Sequence, residues 1–190
     1  MNTIGEGTYL TRKASHFLLC ILLLAFCSNT FAQANGRPNE FRAGSGSTMT
    51  SHGFRSMFIA LPASWIPHSD FPSFLYIHEN LTLLEVRRRL DFAVGMSPMF
   101  RFEIGQEFPR LLLEAGVGVN YISTRVVDGR QLGSHFLFSP AVSGGFEIPL
   151  TKGLLGIFYT FRHLSNAGFY EDNDGVNFQY IVFSLDLNSF

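Results

Sequence analysis

The feature that most constrains this chain is a period-two pattern through its second half. Leu111, Leu113, Ala115, Val117, Val119 and Tyr121 occupy every other position, with Glu114, Gly116, Gly118 and Asn120 between them. Phe136, Phe138, Val142, Phe146 and Ile148 alternate likewise with His135, Ser139, Ala141, Ser143, Gly145 and Glu147. Leu155, Ile157, Tyr159 and Phe161 oppose Gly156, Thr160 and Arg162; Ile181, Phe183, Leu185 and Leu187 oppose Tyr180, Ser184 and Asp186. Successive side chains on a strand point to opposite faces, so each segment is a strand with one apolar face. A soluble sandwich also alternates. Here the apolar faces are long and aromatic, with phenylalanine at 21 of 190 positions. The opposite faces are small and polar, as the narrow lumen of an eight-stranded barrel requires. Charge is sparse at 15%, and past residue 32 no apolar run approaches the roughly 18 residues of a spanning helix. The expected fold is all-β: an eight-stranded antiparallel transmembrane β-barrel, closed so that no strand edge is left unpaired in lipid.

The N-terminus reads differently. Arg12 and Lys13 precede an apolar run from Phe17 to Phe26, and small residues lead to Ala32. That order of basic, apolar and small residues is that of a secretory signal peptide, and about ten apolar residues are too few to span a bilayer. The expected organisation is a signal peptide at 1–32, a flexible Gly/Ser-rich tail at 33–50 and a barrel at 51–190. Both cysteines, Cys20 and Cys27, fall in the leader, so the mature chain is expected to have neither disulfides nor thiolate chemistry. Without residues 1–32, 12 basic and 14 acidic residues remain. That near-neutral balance gives no reason to expect nucleic acid as a partner. In the less legible first half, strands are expected at 54–61, 72–79, 83–94 and 98–105. Residues 106–109 and 149–153 read as short turns; 123–134 and 166–176 read as longer polar loops. Short turns face the periplasm in such barrels, so the strand reaching Ser165 is expected to run outward.

The chemistry concentrates where that strand ends. His163 and Ser165 share the apolar face of Leu155, Ile157, Tyr159 and Phe161, and Asn177 has the same phase on the returning strand. Polar groups held away from water cost about 1–3 kcal/mol each unless paired, so these three are expected to bond one another. A serine hydroxyl becomes nucleophilic when an imidazole takes its proton, and a third group fixes the imidazole tautomer. Asn173, Asn166 and the backbone N–H groups near Ala167 and Gly168 are candidates to stabilise the resulting oxyanion. Leu155, Ile157, Tyr159, Phe161, Ile181 and Phe183 form a candidate wall for an acyl chain. His52, His68 and His78 have no ligand-spaced partners, so neither a metal site nor a cofactor is expected. His135, Glu147, Glu114, Arg101 and Arg162 are expected in the lumen as polar lining or ion pairs.

The run His163-Leu164-Ser165-Asn166-Ala167-Gly168, followed by Asn173-Asp174-Gly175-Val176-Asn177, resembles the signature of the PagL-type outer-membrane lipid A 3-O-deacylases. The resemblance is strong over 110–187 and diffuse before it. It implies an eight-stranded barrel of the bacterial outer membrane whose serine–histidine pair faces the outer leaflet. The implied reaction is hydrolysis of the ester-linked hydroxyacyl chain at position 3 of lipid A. Carried over, Ser165 is the nucleophile, His163 the base and Asn173 an oxyanion-hole residue. The family pattern has glutamate where this chain has Asn177, which predicts a slower enzyme; Glu171, Asp172 and Asp174 are weaker substitutes for the acid. The expected partners are lipid A or lipopolysaccharide as substrate and the surrounding outer-membrane lipid, with a homodimer left open. Two alternatives stand beside this reading: a non-enzymatic small barrel acting as adhesin or envelope stabiliser, and an esterase acting on another glycerolipid.

Overall fold

The alternating segments form the wall of a closed barrel. The computed structural model describes residues 40–49, 55–63, 75–86 and 89–186; the expected signal peptide lies outside them. The wall strands are β1 (Glu40–Thr48), β2 (Arg55–Ala63), β3 (Leu75–Val86), β4 (Arg89–Ile104) and β5 (Arg110–Ile122). After a short hairpin of β6 (Val126–Val127) and β7 (Arg130–Gln131) come β8 (Phe136–Leu150), β9 (Gly153–Leu164) and β10 (Val176–Asp186). Around the wall the order is β1-β10-β9-β8-β5-β4-β3-β2, every ladder is antiparallel, and β1 pairs with both β10 and β2. Closure satisfies the backbone of all eight strands within the wall, the condition for a sheet to sit in hydrocarbon.

Two expectations are corrected. Residues 40–48, expected in a flexible tail, form β1 and close the barrel. Their glycines give the segment a tail-like composition, yet they stand beside bulky lumen residues. A Cβ on Gly44 would lie 2.9 Å from Val182 Cγ2, and one on Gly46 2.7 Å from Tyr180 Cδ1. The three strands expected at 72–79, 83–94 and 98–105 are two, β3 and β4. The chain runs unbroken through Asn80, which turns inward, where its Oδ1 accepts from Arg162 Nη1 at 2.7 Å. Pro98 stays in β4, and the β4–β5 ladder skips Ser97 and Pro98.

The outward face is a belt of large apolar side chains, among them Phe100, Phe102, Leu111, Leu113, Val117, Val119, Phe136, Phe146, Tyr159, Ile181 and Phe183. A surface this apolar fits lipid rather than water. The lumen is less uniformly small and polar than expected. Toward the end capped by the β6–β7 hairpin, Leu84, Ala93, Ile122, Leu137, Leu164 and Val176 pack with Val127 and Leu132 of the hairpin. Asp128 and Gly129 turn the hairpin with positive φ of 54° and 79°, the backbone that an Asp-Gly turn supplies. Elsewhere in the lumen, Glu114 accepts both Arg42 Nη atoms at 2.8 Å and Arg101 Nε at 2.8 Å. Glu40 accepts Arg42 Nε at 2.7 Å and Arg101 Nη2 at 2.9 Å. Two guanidinium groups and two carboxylates, from β1, β4 and β5, thus neutralise one another across the lumen. The interior is filled, as in the narrowest barrels.

Candidate active site

His163 is the penultimate residue of β9, and its partner across the ladder is Asn177 of β10. Directly opposed residues hold their Cβ atoms about 4.5–5.5 Å apart, close enough for the side chains to bond. They do: His163 Nδ1 and Asn177 Oδ1 are 2.6 Å apart. With a carbonyl oxygen as acceptor, Nδ1 carries the proton and the Nε2 lone pair is free to act as a base. Ser165 continues the strand beyond Leu164. Its N–H donates to Phe138 O at 3.1 Å and its carbonyl accepts from Phe138 N at 2.7 Å. Two ladder bonds therefore fix the serine in the outward phase of His163. Both side chains are partly buried and face the belt, not the lumen. No hydrogen bond joins the imidazole to the Ser165 hydroxyl. Residues two apart on a strand are about 6.6 Å apart at Cα, and such catalytic contacts commonly tighten only with substrate.

Gly175 holds the ring from the other side, a role that sequence reading missed. It has a φ of +59°, and a Cβ there would lie 2.7 Å from His163 Cε1 and 3.1 Å from Nε2. Only glycine leaves this space for the imidazole at no backbone cost. The sequence signal is the Asn173-Asp174-Gly175 run directly before β10, which marks a turn needing left-handed backbone.

The loop between β9 and β10 sorts the oxyanion candidates. Asn166 is buried and fully engaged: Nδ2 donates to Leu132 O at 3.0 Å and Asp172 O at 2.8 Å, and Oδ1 accepts from Gly168 N–H at 2.8 Å. Asn166 and the Gly168 N–H therefore shape the loop instead of offering free donors. Asn173 is exposed; its Oδ1 accepts from Asn166 N–H at 3.0 Å, which leaves its NH₂ group available. The Ala167 N–H makes no hydrogen bond among the described residues, and Ala167 sits at a φ of +54°. A non-glycine residue in that region is held there by its surroundings. The loop is tied to the hairpin by Asp174 Oδ2, which accepts from Gln131 N–H at 2.8 Å, and by Arg130 Nη1, which donates to Asp174 O at 3.1 Å. With its carboxylate so engaged, Asp174 does not serve His163; Glu171 and Asp172 lie exposed on the same loop.

The six residues expected as an acyl wall all face outward. Tyr159 opposes Ile181, and Ile157 opposes Phe183. Only Phe161 among them borders the apolar concavity that adjoins His163; its other walls come from β4, β5 and β8. In the lumen, Arg101 and Glu114 pair as expected, while Glu147 accepts from Arg110 at 3.4 Å. His135 holds Ile122 O at 2.7 Å and stacks on Tyr121, a structural role.

A small barrel with an aromatic belt, carrying serine, histidine and asparagine on its lipid-facing wall, has the make-up of an outer-membrane ester hydrolase. The sequence model of the lipid A 3-O-deacylase (PagL) family matches residues 37–186. The chain belongs to that family, and is thereby a carboxylic ester hydrolase of the outer membrane acting on lipid A. Among solved structures it is similar to the crystal structure of the outer-membrane enzyme PagL, with 23% identity and a TM-score of 0.63, covering 76% of this chain and 97% of that one. It is also similar to Neisserial surface protein A, NspA, with 13% identity and a TM-score of 0.53, covering 79% of this chain and 96% of that one. Both likenesses concern the fold. No curated protein matches the chain.

Proposed function

We propose that Ser165, His163 and Asn177 carry out the deacylation, at the outer leaflet. The observation that supports this most is the 2.6 Å bond from His163 Nδ1 to Asn177 Oδ1 on the face that also bears Ser165. Ser165 Oγ attacks the carbonyl of the ester at position 3, and His163 Nε2 takes the hydroxyl proton as the C–O bond forms. Asn177 keeps the ring in the tautomer that can accept this proton and stabilises the imidazolium through its carbonyl oxygen. The Asn173 NH₂ group and the Ala167 N–H are the donors for the tetrahedral oxyanion, each worth about 2.7–4 kcal/mol if well aimed. The imidazolium returns its proton to the sugar oxygen as it leaves. Water, deprotonated by the same imidazole, then cleaves the acyl-serine and releases a hydroxy fatty acid. The imidazolium hands the proton it took from water to Ser165 Oγ as that oxygen leaves, which restores the free serine and imidazole.

The lipid-facing position suits the substrate, whose ester lies near the headgroup boundary while its chains remain in hydrocarbon. Purified protein incubated with lipid A in mixed micelles tests the proposal. Release of a free 3-hydroxy fatty acid, lost in His163→Ala and absent with a diacyl phospholipid, is the expected result. Release of acyl chains from the phospholipid alone would redirect it to another glycerolipid.

A further inference from the structure

The β6–β7 hairpin carries no residue of the serine, histidine and asparagine set, yet it reaches His163 through the backbone of the β9–β10 loop. The hairpin is itself well anchored. Val127 and Leu132 are fully buried in the mouth of the barrel, and Leu132 O accepts from Asn166 Nδ2 at 3.0 Å. At its turn, Thr48 Oγ1 of β1 donates to Asp128 Oδ2 at 2.9 Å. A segment held this firmly can serve as a template for the loop beside it.

Arg130 opens β7 directly opposite Val127. Opposed residues of a ladder share a face, so Arg130 leaves the hairpin on its inner side, and it is half-buried. Its Nη1 donates to two successive carbonyls, Asp174 O at 3.1 Å and Gly175 O at 3.3 Å. Two further bonds join the same stretch to β7. Asp174 N–H donates to Gln131 O at 3.0 Å, and Asp174 Oδ2 accepts from Gln131 N–H at 2.8 Å. The bonds from Gln131 stop at Asp174; Arg130 extends the clamp to Gly175.

Gly175 is where that reach matters. With no Cβ and a φ of +59°, it has more backbone freedom than any other residue would have there. A Cβ would lie 2.7 Å from His163 Cε1 and 3.1 Å from Nε2, so the Gly175 backbone itself backs the ring. Any shift of that backbone changes where Nε2 points, and Nε2 must meet the Ser165 hydroxyl.

We propose that Arg130 is a positioning residue: by bridging Asp174 O and Gly175 O it fixes the backbone behind the imidazole and so aims Nε2 at Ser165. This rests on the reading of His163 as the base. A guanidinium suits the role because it stays charged and donates through a rigid fork. Misplacing a catalytic group by about 1 Å can cost 10²-fold. The loss falls on kcat, since the surface that receives the ester is unchanged.

Hydrolysis of p-nitrophenyl butyrate by folded barrels in detergent micelles tests this, with lipid A as a second substrate. The short ester has no phosphate for a cation to attract. Arg130→Ala is expected to lower kcat on both substrates on the order of tenfold, with KM within about twofold. Arg130→Lys, which keeps a donating cation, should recover most of the loss. Arg125→Ala removes an exposed charge beside the same hairpin and should match the parent. Arg130→Met, which keeps the aliphatic stem, serves if the alanine variant does not fold. In isotope-labelled barrels, the Nδ1–H signal of His163 bonded to Asn177 should weaken in Arg130→Ala and return in Arg130→Lys. A contribution to folding alone would move neither that signal nor the kcat of folded protein. Parent-like kcat in whichever variant folds overturns the proposal, as does an equal loss in Arg125→Ala. A loss confined to lipid A also overturns it, and would make Arg130 a contact to the anionic headgroup. Ester hydrolysis that survives His163→Ala would instead sink the reading of His163 as the base, an outcome separate from any effect at Arg130.

Discussion

Replacing Asn177 by aspartate adds a charge while keeping the shape of the side chain. The bond from His163 Nδ1 to Asn177 Oδ1 is 2.6 Å, so an aspartate oxygen can take the same place without moving the ring. In serine-protease triads the reverse change costs about 10⁴-fold, because the amide imposes the wrong tautomer. Here the carbonyl oxygen already faces Nδ1, so that part of the loss is absent. What remains is the charge. A hydrogen bond with one charged partner contributes about 1.5–3 kcal/mol, and ionising the second strengthens it further. Desolvating a partly buried carboxylate offsets part of this gain. A net stabilisation of about 1–2 kcal/mol at the imidazolium stage corresponds to roughly 5- to 30-fold in kcat. Asn177→Ala removes the bond altogether and should lower kcat by about 10- to 100-fold. The assay is the initial rate of hydroxy fatty acid release by purified barrels, their folding checked by heat-dependent gel migration. If aspartate is no faster than asparagine, or alanine is as fast, Asn177 does not support His163 and the reasoning fails.

Gly175→Ala should slow the enzyme by an order of magnitude or more while the barrel still folds, since a Cβ 2.7 Å from His163 Cε1 must displace the ring; parent-like kcat would show that the ring has room to move. Glu114→Ala leaves Arg42 and Arg101 sharing the single carboxylate of Glu40, with one positive charge uncompensated in the lumen. A loss of about 3–5 kcal/mol is expected in urea unfolding from detergent or lipid, and no change in midpoint would contradict it. Asn166→Ala removes three hydrogen bonds that shape the β9–β10 loop; faster proteolysis within residues 166–174 and a lower kcat are expected, and neither occurring would show the loop to be held by other contacts.

The barrel's second half was legible because lipid and lumen impose opposite demands on alternate residues, and β5, β8, β9 and β10 meet both. β1 was not legible. Its glycines are set by Val182 and Tyr180 across the ladder from it, and a contact with a strand more than a hundred residues away leaves no local pattern. The misplaced boundary at 98 had a similar cause, since Pro98 reads locally as a strand end but is accommodated within β4 by an interrupted ladder. At the site, period and phase alone put His163, Ser165 and Asn177 on one face. They could not separate Asn166 from Asn173, because two asparagines in one loop differ only in what folds around them. The concavity escaped too: it arises from Pro98, Ala115 and Pro140 meeting across three strands, none of which is distinctive by itself.

Mass spectra of lipid A from cells producing the parent protein and its Ser165→Ala variant, both shown to be folded in the outer membrane, probe the nucleophile itself. The parent should yield lipid A lighter by one hydroxyacyl group, and the variant lipid A of full mass. Deacylated lipid A in the alanine variant would mean that the bond is broken by some group other than this hydroxyl.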